Sequence, residues 1–224
     1  MQSYTADPAC RGFASLAWAF FPRQRLGILP NGVQSETPME AFLFSTGIVA
    51  LAEMGDKTQL LALVLGARYR KPWPIVSGIL VATLVNHGLA GAAGAWITSF
   101  VGPEVLRWIL GGSFIAMAIW MLVPDQLDPG DSHAAPRLGV FGTTVIAFFL
   151  AEMGDKTQIA TVMLAARYHA WLAVVAGTTL GMMLANAPVV WFGERITRRV
   201  PLHVVHVVSA LIFAGLGVTA LVWS

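Results

Sequence analysis

Hydrophobic positions fall into six long runs, with most of the polar positions between them. The runs cover residues 41–66, 75–97, 103–123, 138–166, 171–193 and 201–223. A helix needs about 20 apolar residues to cross the hydrocarbon core of a bilayer, and the longer runs fit with some tilt. The pattern therefore predicts an all-α membrane protein with six transmembrane helices.

The second half of the chain repeats the first at an interval of 99 residues. Residues 51–59 read Leu-Ala-Glu-Met-Gly-Asp-Lys-Thr-Gln, and residues 150–158 repeat them letter for letter. This indicates an internal duplication of three helices. Because three is odd, the second half must enter the membrane from the opposite side. We therefore expect two inverted three-helix repeats, with a site at mid-membrane where they meet.

The repeat also sets the expected domain boundaries. Residues 39–123 form the first three-helix repeat, residues 124–137 an acidic loop, and residues 138–224 the second repeat. Residues 1–38 have no counterpart in the second half. We expect this N-terminal extension to be disordered or to lie outside the functional protein.

Composition agrees with a membrane protein. Charged residues make up 12% of the chain, about half the fraction usual in soluble domains. The net charge of +2 is small, and there is no basic, aromatic-rich surface of the kind that nucleic acid requires. Cys10 is the only cysteine, so an intrachain disulfide and a cysteine metal site are both excluded.

The distribution of Lys and Arg predicts the orientation. Seven of these residues follow the first, third and fifth helices, against two on the opposite side. The three arginines of residues 1–38 would narrow this bias to seven against five. By the positive-inside rule, we expect the middle loop to be cytoplasmic and both termini to lie outside, in a bacterial inner membrane.

Each copy of the repeated motif places charges inside an apolar run. Glu, Asp and Lys stand at i, i+3 and i+4, a spacing that puts them on one face of a helix. Charged groups are expensive in lipid, so the first hypothesis is functional. The candidate metal ligands are Glu53, Asp56, Thr58, Gln59, Glu152, Asp155, Thr157 and Gln158, with Lys57 and Lys156 as charge-compensating or proton-coupling groups.

The motif residues suit a hard divalent cation. Four carboxylates and two lysines carry a formal charge of −2, which one such cation neutralises. Oxygen-rich sites bind Ca²⁺, Mg²⁺ and Mn²⁺, whereas zinc and copper prefer ligands that the motif lacks. Gly55 and Gly154 weaken the helix, which could free backbone carbonyls for a cation or let helices approach closely. A buried carboxylate also binds protons, so exchange of a cation for protons follows from the chemistry.

Three polar residues of the second helices are candidates for supporting the site. Asn86 and Asn186 lie in corresponding helices, where they either support the motif or join neighbouring helices by hydrogen bonds. His87 either relays protons or, as is more common, is buried and hydrogen-bonded to a neighbour.

The two motifs resemble those of a known family of membrane cation transporters within the lysine-exporter superfamily. Its members carry two copies of Glu-x-Gly-Asp-(Lys/Arg)-(Thr/Ser) on six membrane helices and include the Golgi manganese/calcium transporter and bacterial manganese exporters. Residues 53–58 and 152–157 match this pattern without departure. The resemblance implies export of Mn²⁺ or Ca²⁺, in exchange for protons, through a site that both motifs share.

Other functions remain open at this stage. Paired intramembrane carboxylates also serve membrane-embedded hydrolases, although no nucleophile or phosphate-binding loop accompanies them here. A channel, an assembly factor and a closed ion-pair network are further alternatives. The transporter hypothesis requires divalent cations, protons and a lipid bilayer as partners and no prosthetic group. It leaves open the ion preference and whether the protein forms a homo-oligomer.

Overall fold

A computed structural model of the chain describes residues 37–123, 138–193 and 202–222. These residues form eight helices and no strand. The helices are α1 (Pro38–Glu53), α2 (Lys57–Tyr69), α3 (Pro72–Ile97), α4 (Pro103–Trp120), α5 (Gly139–Glu152), α6 (Lys156–Tyr168), α7 (Trp171–Phe192) and α8 (Leu202–Val222). The all-α class is confirmed for this part of the chain. The acidic loop 124–137, residues 1–36 and the arginines between residues 194 and 200 lie outside the described residues.

Residues that favour the start of a helix occur at several of the helix N-termini. Thr37 and Glu40 form a capping box at the start of α1, each side chain bonding the other residue's backbone N–H. Such reciprocal bonds satisfy donors that a helix start leaves open. Proline occupies the first turn of α1, α3 and α4, where its missing N–H costs little.

The duplication seen in the sequence extends to the secondary structure. α2 and α6 begin and end at equivalent residues, and α1 and α5 both end at the glutamate of the motif. After α2 and α6, Arg70 and His169 adopt the left-handed conformation, with φ of 51° and 50°. Each half therefore contains four helices in the same order, with the first predicted run divided into two.

Three helices are long and apolar enough to cross a membrane within the described residues: α3, α7 and residues 203–222 of α8. The first and fourth predicted runs are not continuous helices, because each is interrupted at its motif. Large apolar side chains such as Leu89, Leu172 and Leu211 are exposed on the surface of the bundle, as lipid contact requires. The buried side chains, by contrast, include many polar and charged groups.

The halves interlock through their helices. α1 packs on α7 of the other half, and α5 packs on α3 in the equivalent way, while α4 packs on α8. Glycine permits the close contacts: a Cβ atom on Gly177 would lie 2.4 Å from the carbonyl oxygen of Phe42, and one on Gly78 would lie 2.8 Å from Cβ of Thr144. Gly78 and Gly177 correspond at the repeat interval of 99, and their contacts lie on the equivalent helices α5 and α1. The interlocked packing brings both motifs into the interior.

Candidate functional site

Each motif copy is a tight turn between two helices. α1 ends at Glu53 and α2 begins at Lys57, while α5 ends at Glu152 and α6 begins at Lys156. In both copies the N–H of the motif aspartate donates a 3.1 Å hydrogen bond to the carbonyl of the glutamate three residues earlier. The prediction that Glu, Asp and Lys share one helix face is therefore wrong, because the helix ends between the two carboxylates.

Glycine explains why the helix ends there. Met54 has φ −67° and ψ 113°, and Gly55 has φ 86°. The second copy repeats this geometry, with φ −63° and ψ 120° at Met153 and φ 75° at Gly154. These are the values of a type II turn, which needs a positive φ at its third residue and therefore favours glycine. The motif glycine is thus required by the turn.

Two glutamines brace the turns. Oε1 of Gln59 accepts a 3.1 Å hydrogen bond from the N–H of Gly55, and Oε1 of Gln158 accepts a 2.7 Å bond from that of Gly154. The amide of Gln59 also donates to the carbonyl of Ala185 on α7, at 3.2 Å. The side-chain oxygens of Gln59 and Gln158, both predicted as cation ligands, are thus hydrogen-bonded to the backbone of their own turns.

The interruption also places helix ends at the motif. The last backbone carbonyls of α1 and α5 carry the negative end of each helix dipole. Interrupted helices of this kind supply cation-binding ends in transporters. The prediction that glycine weakens the helix here is met, and the backbone contributes to an environment that favours positive charge.

The motif glutamates are completely buried. Glu53 and Glu152 are both 0% exposed. Thr58 donates a 2.6 Å hydrogen bond to Oε2 of Glu53, and Thr157 donates a 3.2 Å bond to Oε2 of Glu152. The other oxygen of each glutamate, Oε1, has no hydrogen-bond donor among the described residues. Because a buried acceptor without a donor is costly, these oxygens are suited to binding a cation or a proton.

Carboxylates from both copies converge. Glu53, Glu152 and Asp155 each offer an oxygen, and these three oxygens all lie within 4.8 Å of one another. Oxygens bound at about 2.0–2.6 Å on opposite sides of one Mg²⁺ or Ca²⁺ ion are about 4–5 Å apart. The cluster is therefore close to the size that one such cation requires.

The lysines join the two copies crosswise. Nζ of Lys57 lies 3.4 Å from Oδ1 of Asp155, and Nζ of Lys156 lies 3.8 Å from Oδ1 of Asp56. Each ammonium thus pairs with the aspartate of the other copy. Glu53, Glu152 and Asp155 thus form the central group, and Asp56 and both lysines adjoin it through these ion pairs.

The surroundings of the two lysines differ. The side chain of Lys57 is 21% exposed, while that of Lys156 is 4% exposed. Nζ of Lys156 also lies 3.5 Å from the carbonyl oxygen of Val123 and 6.0 Å from the centre of the Trp120 ring. Sequence reasoning missed both of these contacts, because Trp120 and Val123 lie outside the repeated motif and follow no pattern that links them to it.

The two asparagines occupy different places. Nδ2 of Asn186 lies 3.5 Å from Oε2 of Glu53 and donates to the carbonyl of Met182 at 3.2 Å. Nδ2 of Asn86 instead donates to the carbonyl of Phe149 on α5, at 3.1 Å. Asn186 therefore lies beside a motif glutamate, whereas Asn86 joins neighbouring helices.

His87 is also buried on α3, with 0% exposure. Neither of its ring nitrogens has a hydrogen-bond partner among the described residues. The expectation of a hydrogen bond to a neighbour is therefore not met within this part of the chain.

Comparison with known proteins agrees with the chemistry of the cluster. The family model described as "Divalent cation/proton antiporter GDT1" matches residues 41–129 and 140–224. A relative in Vibrio cholerae serotype O1, named "Putative manganese exporter", is 48% identical over 84% of this chain and 93% of its own length. The Synechocystis "GDT1-like protein sll0615" is 27% identical over 78% of this chain and 93% of its own.

A more distant relative carries the family's name. The Saccharomyces cerevisiae "Divalent cation/proton antiporter GDT1" is 19% identical over 80% of this chain and 82% of its own length. No solved structure matches the chain. The resemblance noted from the two motifs is confirmed, and the hydrolase alternative is set aside because the family consists of transporters. The chain is an integral membrane protein that belongs to the GDT1 family of divalent cation/proton antiporters.

Proposed function

We propose that this protein exports Mn²⁺, Ca²⁺ or both from the cytoplasm in exchange for protons. The observation that carries the proposal is the meeting of the two motifs. Oxygens of Glu53, Glu152 and Asp155 lie within 4.8 Å of one another, and each motif lysine pairs with the aspartate of the other copy. One cation could therefore contact ligands from both halves of the chain.

The lysines suggest how the site exists without a cation. Four buried carboxylates would repel one another, and the two ammonium groups reduce this repulsion. A divalent cation that enters the cluster supplies the same two positive charges. We therefore propose that the cation displaces Lys57 and Lys156 from their aspartates, and that protons bind to the carboxylates when the cation leaves.

The relatives bear on the choice of ions. The name of the Vibrio cholerae relative specifies manganese, and the family's name specifies a divalent cation and protons. Hard oxygen ligands accept both Mn²⁺ and Ca²⁺. We propose Mn²⁺ as the first substrate to test, with Ca²⁺ as its competitor.

We also propose the topology expected from the sequence. Six membrane-crossing segments form two inverted repeats, residues 39–123 and 138–224, with α1 and α2 together making one crossing and α5 and α6 another. The equivalent packing of α1 on α7 and of α5 on α3 supports this arrangement. The loop 124–137 then lies in the cytoplasm and both termini outside, in a bacterial inner membrane. Residues 1–38 are an extension that transport does not require.

Transport assays on the purified protein in lipid vesicles test this function. Vesicles with an acidic lumen should accumulate Mn²⁺, and addition of Mn²⁺ should make the lumen less acidic as protons leave. Asp155→Asn should abolish both signals, because it removes a charge from the cluster. Glu104→Gln is the matched control, since Glu104 lies exposed in the first turn of α4. Mn²⁺ uptake without proton movement would contradict the exchange, and no uptake would contradict transport.

A further inference from the structure

The ammonium of Lys156 has contacts outside the carboxylate cluster. Besides Asp56 at 3.8 Å, Nζ lies 3.5 Å from the carbonyl oxygen of Val123 and 6.0 Å from the centre of the Trp120 ring. Trp120 is the last residue of α4, and Val123 follows in the next turn. The lysine thus lies between the cation site and the end of α4.

Among the described residues, this arrangement occurs at the second motif only. At the repeat interval that aligns Phe114 with Phe213, the counterpart of Trp120 is Thr219. The hydroxyl of Thr219 donates to the carbonyl of Leu216 within α8, at 3.0 Å. The two motifs are identical in sequence, but the residue of the second half that corresponds to Trp120 is not aromatic.

Cation binding creates a need that these contacts meet. A divalent ion that takes the oxygens of the cluster competes with Lys156 for Asp56. A buried ammonium that loses a counter-charge is destabilised. With a side-chain exposure of 4%, Lys156 requires another favourable contact nearby if the cation is to displace it.

We propose that Trp120 is a positioning residue that, with the carbonyl of Val123, receives the Lys156 ammonium when a divalent cation occupies the site. The inference rests on the proposed function. An aromatic face attracts an ammonium through its quadrupole. Carbonyls at a helix C-terminus attract it through the negative end of the dipole. Neither group is a carboxylate, so neither neutralises the lysine firmly enough to trap it.

Binding of Mn²⁺ to the full-length protein in detergent tests the proposal, with free Mn²⁺ measured from its electron paramagnetic resonance signal. Trp120→Leu should raise the Kd about five-fold, which corresponds to about 1 kcal/mol, within the range of a cation–π contact. Trp120→Phe should restore most of the affinity, because it keeps an aromatic face. Trp108→Leu is the matched control, since Trp108 is an exposed tryptophan on the same helix and should leave the Kd unchanged.

A second background separates positioning from a structural effect. In Lys156→Gln protein, Trp120→Leu should leave the Kd unchanged, because the ammonium that the ring receives is absent. An equal five-fold loss in both backgrounds would overturn the proposal, as would an unchanged Kd for Trp120→Leu while the parent protein binds Mn²⁺. If the leucine variant fails to fold, Trp120→Met replaces it with the same expectation. A parent protein that binds no Mn²⁺ would contradict the proposed function itself.

Discussion

The two motif copies share nine residues and one turn geometry, but they lie in different surroundings. In the first copy, Lys57 is partly exposed and Gln59 is buried against α7. In the second, Lys156 is buried beside α4, whereas Met153 is 56% exposed. The local sequence therefore determines the turn geometry, whereas the neighbouring helices determine how exposed each copy is to solvent.

The last helix of each half, α4 in the first and α8 in the second, accounts for part of this difference. α4 contacts α6, the helix that begins at the second motif, whereas α8 contacts α1, which ends at the first. Each copy contributes one glutamate, one aspartate and one lysine, but the helices that surround the two lysines differ. In a transporter built from inverted repeats, the two halves can exchange conformations. If the more enclosed copy became the more exposed one, access to the cation site would move from one side of the membrane to the other.

The largest effect is expected where the copies are most alike. Glu53→Gln and Glu152→Gln should each lower the rate of Mn²⁺ transport by more than about 100-fold, because even residues that only orient a metal ligand contribute 10–100-fold. The measurement is uptake into lipid vesicles, with membrane insertion checked in parallel. Very unequal losses of transport rate in the two variants would contradict the equivalence of the two glutamates.

Substitution of the two motif lysines should change stability unequally, because the lysines differ in burial. Lys156→Gln should destabilise the cation-free protein by about 3 kcal/mol, because it leaves a buried charge without its partner. Lys57→Gln should cost less, because the position of Lys57 is partly open to solvent, which can solvate Asp155 once the ammonium is gone. Thermal unfolding in detergent measures both, with Lys71→Gln, an exposed lysine outside the motif, as the control. Equal destabilisation by the two motif variants would contradict the unequal burial of the lysines.

Most of the cluster could be predicted from the sequence because charges are rare and duplicated in this chain. The pairing of Asp56 and Asp155 with lysines follows from composition alone once the two motifs meet. The interruption of the helix could not be read from hydrophobic periodicity, since a single glycine is tolerated in many helices. It combines a positive φ at Gly55 and Gly154 with hydrogen bonds from their N–H groups to the side chains of Gln59 and Gln158.

Other features depend on tertiary packing that no sequence pattern announces. Asn86 and Asn186 looked equivalent, yet only Asn186 lies beside a motif glutamate among the described contacts. Trp120 lies near the end of an apolar run, outside the repeated motif. Its position over Lys156 results from the packing of α4 on α6, which the motif does not encode.

A smaller effect is expected at the paired glycine contacts. Gly177→Ala should destabilise the fold by about 2 kcal/mol, because its Cβ would lie 2.4 Å from a backbone oxygen that cannot rotate away. Gly78→Ala should cost less, since its closest contact is 2.8 Å, to a side chain. Gly88→Ala on α3 is the control, with nothing within 4 Å. Thermal unfolding of the three variants gives the order, and a stabilised Gly177→Ala would show that the helices are not in contact there.

The smallest effect concerns the asparagines. Asn186→Ala should weaken Mn²⁺ binding about tenfold, because its amide lies beside Glu53 and helps to hold that ligand. Asn86→Ala should weaken binding less and act mainly on stability, by about 1 kcal/mol, since it loses a hydrogen bond to a neighbouring helix. Titration of both variants with Mn²⁺ distinguishes the two roles. The reverse order would show that the contact with Glu53 has no bearing on the cation.

The central claim is that the two motifs form one cation site, and the stoichiometry of Mn²⁺ binding tests it most directly. Electron paramagnetic resonance counts the ions bound per chain for the parent protein, Glu53→Gln and Glu152→Gln. A shared site predicts one tightly bound Mn²⁺ in the parent and none in either variant, because both glutamates belong to the same cluster. Two tightly bound ions in the parent, or one that survives in a single-motif variant, would contradict the shared site.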